Sequence, residues 1–142
     1  MTMDQKLWQF SNELSQPKMP YDILKKYAIK LQEDTEGMFN GDVSQIVNDD
    51  YSVIVSFYII VPGLRNYGYK LMQMKSKSFD MPYPAEMQLI GTAEGNVIKE
   101  EATNQIDFES KVEQFIVHPL TKHILYALKI QIDIYKDSRF GE

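Results

Sequence analysis

The chain holds two histidines, His118 and His123, and no cysteine. Zinc-binding pairs on a helix sit four residues apart, so that both imidazoles face one way. These two are five apart with Pro119 between them, and they read as a helix-junction histidine and a helix-surface histidine. The lack of cysteine removes a thiolate nucleophile, a disulfide framework and any cysteine-containing zinc site. Acidic neighbours occur at Asp49-Asp50 and Glu100-Glu101. Adjacent side chains of a strand point to opposite faces, so neither pair makes a carboxylate dyad by itself; both read as solvated charge. Ser56 lies inside the most hydrophobic run and lacks the Gly-x-Ser-x-Gly setting of an exposed nucleophile. It is expected to be a buried, hydrogen-bonded hydroxyl. The seven glycines are scattered singly, and no phosphate-cradling loop is present. The expectation is no catalytic residue, no cofactor and no metal.

What remains is chemistry suited to binding. Of nine tyrosines, Tyr58, Tyr67, Tyr69 and Tyr83 fall near the strands and their connections, together with Met72, Met74, Met81 and Met87. Tyrosine offers apolar area with a polar tip, and methionine suits adaptable surfaces. Tyr67, Tyr69, Met81 and Tyr83 are therefore the candidate binding surface, carried by the 62–69 hairpin end and the stiff 81–84 connection. The same residue types are ordinary core material, and packing of helices onto a sheet is the favoured account of them. Lys70, Lys75 and Lys77, interleaved with Tyr67 and Tyr69, could touch nucleic acid through charge and stacking. The net charge of −5 argues against a phosphate partner. The lysines are expected to protect an edge strand from aggregation.

The elements that must position these residues follow from periodicity. Met3, Leu7, Phe10 and Leu14 repeat at helical spacing, predicting a helix over residues 3–15. Pro17 and Pro20 end it, and Pro20 opens a second helix with Ile23, Leu24, Tyr27, Ala28 and Leu31 on one face. Gly37 is its expected stop. Residues 38–50 read as a loop, with Asn40-Gly41 as a turn signal and Val43, Ile46 and Val47 able to add a short strand or helical turn. Residues 51–61 are dense in β-branched and aromatic types and predict a central strand covered on both faces. Pro62-Gly63 predicts a type II turn. A second strand is expected over 67–78, a rigid connection over 80–84, a third strand over 86–92, a turn over 91–96 and a short fourth strand over 97–102. Asn104 or Asp107 caps a helix carrying Phe108, Val112, Phe115 and Ile116. Pro119 interrupts it and opens another. Residues 128–135 fit both strand alternation and a continuing helix. The helix is preferred, since no turn residue separates 119 from 136. Residues 136–142 are expected to be a frayed tail.

The 142 residues, 44% hydrophobic and 25% charged, are of single-domain size and balance. The expected fold class is α+β: one domain over residues 1–142, with an antiparallel meander of three to four strands packed with two N-terminal and two C-terminal helices. Residues 1–6 show no apolar core of signal-peptide length. The run around 53–62, broken by Ser56, is too short to span a bilayer. Cytoplasmic residence without membrane insertion is therefore expected. The function these readings favour is a non-enzymatic interaction module, an acidic inhibitor, immunity factor or adaptor that binds a protein partner. The alternative is a small-molecule-binding protein or enzyme with a pocket between helices and sheet, marked by a deep cavity with converging Tyr, Asp or His side chains.

Overall fold

Pro20 opens helix α1, Pro20–Asp34, at the position where its missing N–H removes nothing from the helical ladder. Asp22 stands in the first turn, toward the positive end of the helix dipole. Ile23, Leu24, Tyr27 and Ala28 recur on one buried stripe. The helix closes on Thr35, whose hydroxyl donates to the Leu31 carbonyl at 2.7 Å and accepts from the Phe39 N–H at 3.1 Å. The computed structural model describes residues 19–90 and 97–140. The helix predicted over residues 3–15 and the turn predicted over 91–96 lie outside the described residues.

Five strands follow: β1 Asn40–Val47, β2 Val53–Val61, β3 Tyr67–Ser78, β4 Met81–Ile90 and β5 Val97–Ala102. Each pairs antiparallel with its sequence neighbour, in the spatial order β1-β2-β3-β4-β5. Helices α2, Gln105–Ile116, and α3, Pro119–Phe140, complete the described chain. The architecture is α+β with an antiparallel sheet, as expected, but its counts differ: five strands instead of three or four, and three described helices.

The additional strand is β1, an eight-residue strand where a loop with at most a short strand or helical turn at Val43, Ile46 and Val47 was expected. Asn40-Gly41 does not turn the chain; it lies inside β1 opposite Ile60 and Ile59. Gly41 is small for a packing reason. A Cβ there would stand 2.5 Å from both Cα and Cβ of Ala28, so α1 touches the strand backbone. Pro62–Leu64 forms a single 3-10 turn instead of a type II turn, and the left-handed residues are Arg65 and Asn66. Gly63 makes room for α3, since a Cβ would meet Ile132 Cγ2 at 3.1 Å. The connection expected over 80–84 belongs to β4. Its prolines sit where the β3–β4 register shifts, between the pairs Ser76–Ala85 and Ser78–Met81, so the missing N–H groups fall at an irregularity of the ladder. Residues 128–135 are helical. Thr121, Ile124, Leu128 and Ile132 make a buried stripe, and α3 continues through the expected tail to Phe140.

Cross-strand partners share a face. One face therefore carries the rows Val43–Phe57–Met72–Leu89, Val55–Met74–Met87 and Val53–Ser76–Ala85–Ala102, nearly all buried in one core with the helix stripes. The other face carries Ile54, Ser56, Tyr58 and Ile60 beside Lys70, Gln73 and Lys75. The run at 51–61, expected at the centre with both faces covered, is the second of the five strands; its helix-facing side is fully packed, and on its other side Ser56 is buried and Ile54, Tyr58 and Ile60 are half-buried. β3 is the middle strand, which overturns the edge-strand account of Lys70, Lys75 and Lys77. Those lysines stand on the sheet face away from the helices. Among the described residues no helix is long and apolar enough to cross a membrane.

Candidate functional site: an apolar cleft between helices and sheet

The four residues singled out from the sequence are not brought together. Tyr67 and Tyr69 start β3 on its helix-facing side, opposite Val61 and Ile59; Tyr67 is 50% exposed and Tyr69 half-buried. Met81, 64% exposed, pairs with Ser78 at the other end of β3, about 35 Å away at the usual rise of a strand. Tyr83 lies beside Phe108 of α2, ring centroids 6.0 Å apart. Its hydroxyl is buried with no hydrogen-bond partner among the described residues, and burial, with Glu109 nearby, pushes its pKa up to about 12.

The other candidates also separate. His118 Nδ1 accepts the Leu120 N–H at 3.0 Å and so caps α3, while His123 is exposed on that helix. Asp50 accepts from the Ser52 N–H and hydroxyl at 3.0 and 2.6 Å, which holds its carboxyl below the usual range. Glu100 and Glu101 point to opposite faces of β5, opposite Met87 and Glu86. Ser56, 4% exposed, sits between Ser44 and Gln73 on the outer face.

The structure forms a site elsewhere. Contact at Gly41 ties α1 to β1, and contact at Gly63 ties α3 to the β2–β3 connection, reinforced by Arg65 Nε donating to Tyr135 Oη at 3.0 Å. Between the two anchored helices a cleft of about 470 Å³ remains over β2 and β3. Its floor is Phe57, Ile59 and Leu71. Leu71 arrives there through a bulge: Phe57 pairs with Met72 and Tyr58 with Lys70, so the unpaired Leu71 and its neighbour Met72 are both buried. Tyr27 and Leu31 of α1, Ile116 at the end of α2 and Leu125 of α3 form the walls. Lys30, Asp34 and Glu113 stand at the rim, all exposed.

The polar groups of the cleft are few and mostly engaged within the protein. The Tyr27 hydroxyl donates to Glu113 Oε1 at 2.9 Å. Burial first, then this bond and the negative charge of Glu113, push the phenol pKa up to about 12. Tyr27 is therefore a donor at neutral pH and does not serve as a base. Thr121 donates to the Phe115 carbonyl at 2.6 Å, and Lys30 pairs with Asp34 at 3.5 Å. The arrangement can enclose an apolar body and present a few polar groups at one edge. Among the described residues it aligns no nucleophile with a base. Sequence reasoning placed Tyr27 and Leu31 on one helix stripe, but that stripe reads as core. What makes them line a cleft is the distance at which Gly41 and Gly63 set the two helices, and no local pattern carries that distance. Compared with known proteins, the chain matches no family model, no curated protein and no solved structure.

Proposed function

We propose that this protein binds a small, largely apolar molecule in the cleft between α1, α3 and the sheet. The observation that carries the proposal is the cleft of about 470 Å³ floored by Phe57, Ile59 and Leu71, within the 300–1,000 Å³ typical of small-molecule sites and with their mix of apolar lining and few polar groups. The polar groups at its edge, Tyr27 bonded to Glu113 and Lys30 paired with Asp34, suit orientation of a ligand better than bond-breaking. The test is thermal melting of the wild type and a Leu125→Trp variant against a panel of compounds graded in apolarity. At a ligand concentration of 100 Kd the stabilisation is about 2.7 kcal/mol, or roughly 5–10 °C for a chain of this size. A compound class that raises the wild-type Tm and leaves the variant unmoved supports the proposal. Equal responses in both proteins overturn it.

A second reading, an interaction module for a protein partner, is supported by one end of the sheet. Tyr51 and Phe79, at the β1–β2 and β3–β4 turns, meet edge to face at 6.1 Å. Both are more than half exposed, as is Met81 nearby. Exposed aromatic and methionine side chains of this kind anchor interfaces. A partner retained by the wild type and lost by a Tyr51→Ser/Phe79→Ser double variant that melts normally supports this reading, and a partner held equally by both proteins removes it.

A further inference from the structure

Three helix ends line the cleft. Leu31, Asp34 and Thr35 belong to the last turn and cap of α1, Ile116 and Val117 to the end and cap of α2, and Thr121 to the first turn of α3. The carbonyls of Leu31, Gln32, Glu113 and Phe115 in the last turns of α1 and α2 accept hydrogen bonds within the protein, so the charge at the edge of the cleft is set by its side chains. Lys30 pairs with Asp34 at 3.5 Å, and Lys26, the next lysine along α1, pairs with Glu109 at 3.5 Å while its ammonium lies 5.1 Å from the Tyr27 ring centroid. Glu113 is left with the neutral Tyr27 hydroxyl alone among the described residues. Its carboxylate is exposed at the lip of an apolar cleft and, among the described residues, has no cation within ion-pairing distance.

Resting on the reading of the cleft as a ligand site, we infer that its ligand is a cationic amphiphile, an organic amine or amidine whose apolar body lies against Phe57, Ile59 and Leu71 while its charged head meets Glu113. A carboxylate of the same shape would place its charge against Glu113. A neutral molecule would gain the burial but not the pairing. The Tyr27 hydroxyl, by donating to one oxygen of Glu113, holds the carboxylate in place and leaves its other oxygen for the incoming head group.

The test is calorimetric titration of the full chain with three probes of equal apolar length, octylamine, octanol and octanoate, each below its micellar range. The probes are measured with wild type, Glu113→Gln, Lys30→Gln and Leu125→Trp. A partly exposed ion pair corresponds to about a fivefold gain in affinity, so octylamine is expected to bind about fivefold more tightly than octanol, with octanoate weakest. Glu113→Gln should remove the difference, bringing octylamine down to the octanol value measured with the same variant. Lys30→Gln, by releasing Asp34, should widen the preference, and raised salt should narrow it. If the three probes bind alike, or octanoate binds best, and Leu125→Trp abolishes the binding, the charge inference falls while the cleft remains a ligand site. If none binds in a way that Leu125→Trp abolishes, both the inference and the reading beneath it are overturned.

Discussion

The contact at Gly41 sets the width of the cleft, and replacing that glycine tests the account directly. A methyl group at position 41 would stand 2.5 Å from Ala28 Cα and Cβ and 3.1 Å from Phe57 Cζ. Carbon atoms rest at about 3.5–4.0 Å, so relief requires α1 to retreat from β1 by about 1 Å. The obstacle is helix backbone, which has no rotamer to change. Overpacking of this kind costs about 1–3 kcal/mol, and a backbone obstacle places the cost toward the upper end. Against it, alanine gains about 0.5–1 kcal/mol over glycine in chain entropy. The net expectation for Gly41→Ala is a loss of about 2 kcal/mol, a fall in Tm of roughly 4–8 °C. The retreat also lifts Tyr27 and Leu31 from the cleft wall, so a ligand of the cleft should bind more weakly. The control is Gly68→Ala, where a Cβ meets only the Ile60 Cδ1 methyl at 3.3 Å, a flexible tip that can move; its Tm should stay within about 2 °C of wild type. The assay is thermal and guanidinium unfolding followed by circular dichroism, with cleft binding measured in parallel. A Gly41→Ala protein as stable as wild type, or more so, refutes the close approach of α1 to β1 and with it the stated origin of the cleft.

Four further variants test the cleft wall, a buried phenol and the α2 cap. Leu125→Trp should fill the cleft from the α3 side and melt within about 3 °C of wild type, because Leu125 is only half-buried; a large loss would mean the space beside it is already filled. Tyr27 and Tyr83 have folded-state pKa values near 12 against an ordinary 10, so the folded chain holds protons that the unfolded chain releases. Their contribution is fully present below pH 10 and lost as the pH rises toward 12, and Tyr27→Phe should remove part of that alkaline loss when unfolding is measured across the window. At the α2 cap the Asn104 side chain accepts the Asp107 N–H at 2.8 Å and Asp107 accepts the Thr103 N–H at 2.9 Å. Asn104→Ala should cost about 1 kcal/mol in chemical denaturation. Asp107, held low first by Thr103 and then by Lys111, contributes stability present above the ordinary aspartate value of 3.8. That contribution should be lost as the pH falls through its lower folded value, and Asp107→Asn should flatten this limb.

Much of the secondary structure was legible because it is encoded over short spans. Pro20 with the stripe Ile23, Leu24, Tyr27 and Ala28, the Asn104 cap ahead of Phe108 and Val112, and the β-branched run of β2 each carry their signal within one element. β1 was harder to see. Asn40-Gly41 is turn-forming by local chemistry, and the reason for Gly41, the approach of α1, lies thirteen residues away at Ala28. The prolines of β4 likewise read as a connection, because the register shift that accommodates them belongs to the β3–β4 pair and not to either strand. The lysines of β3 read as edge protection, because strand order is decided by pairing across the whole sheet.

Sequence alone determined that this chain folds as α+β around an antiparallel meander and that thiol and P-loop chemistry are absent, since composition and periodicity are properties of the chain read residue by residue. Only the tertiary structure decided that Tyr67 and Met81 stand at opposite ends of one strand and that Tyr27, Leu71, Glu113 and Leu125 surround one space. Those four residues come from four elements, and the gap among them exists because two backbone contacts, at Gly41 and at Gly63, hold α1 and α3 apart over the sheet. A cavity is a difference between positions of packed elements, and no single segment contains it.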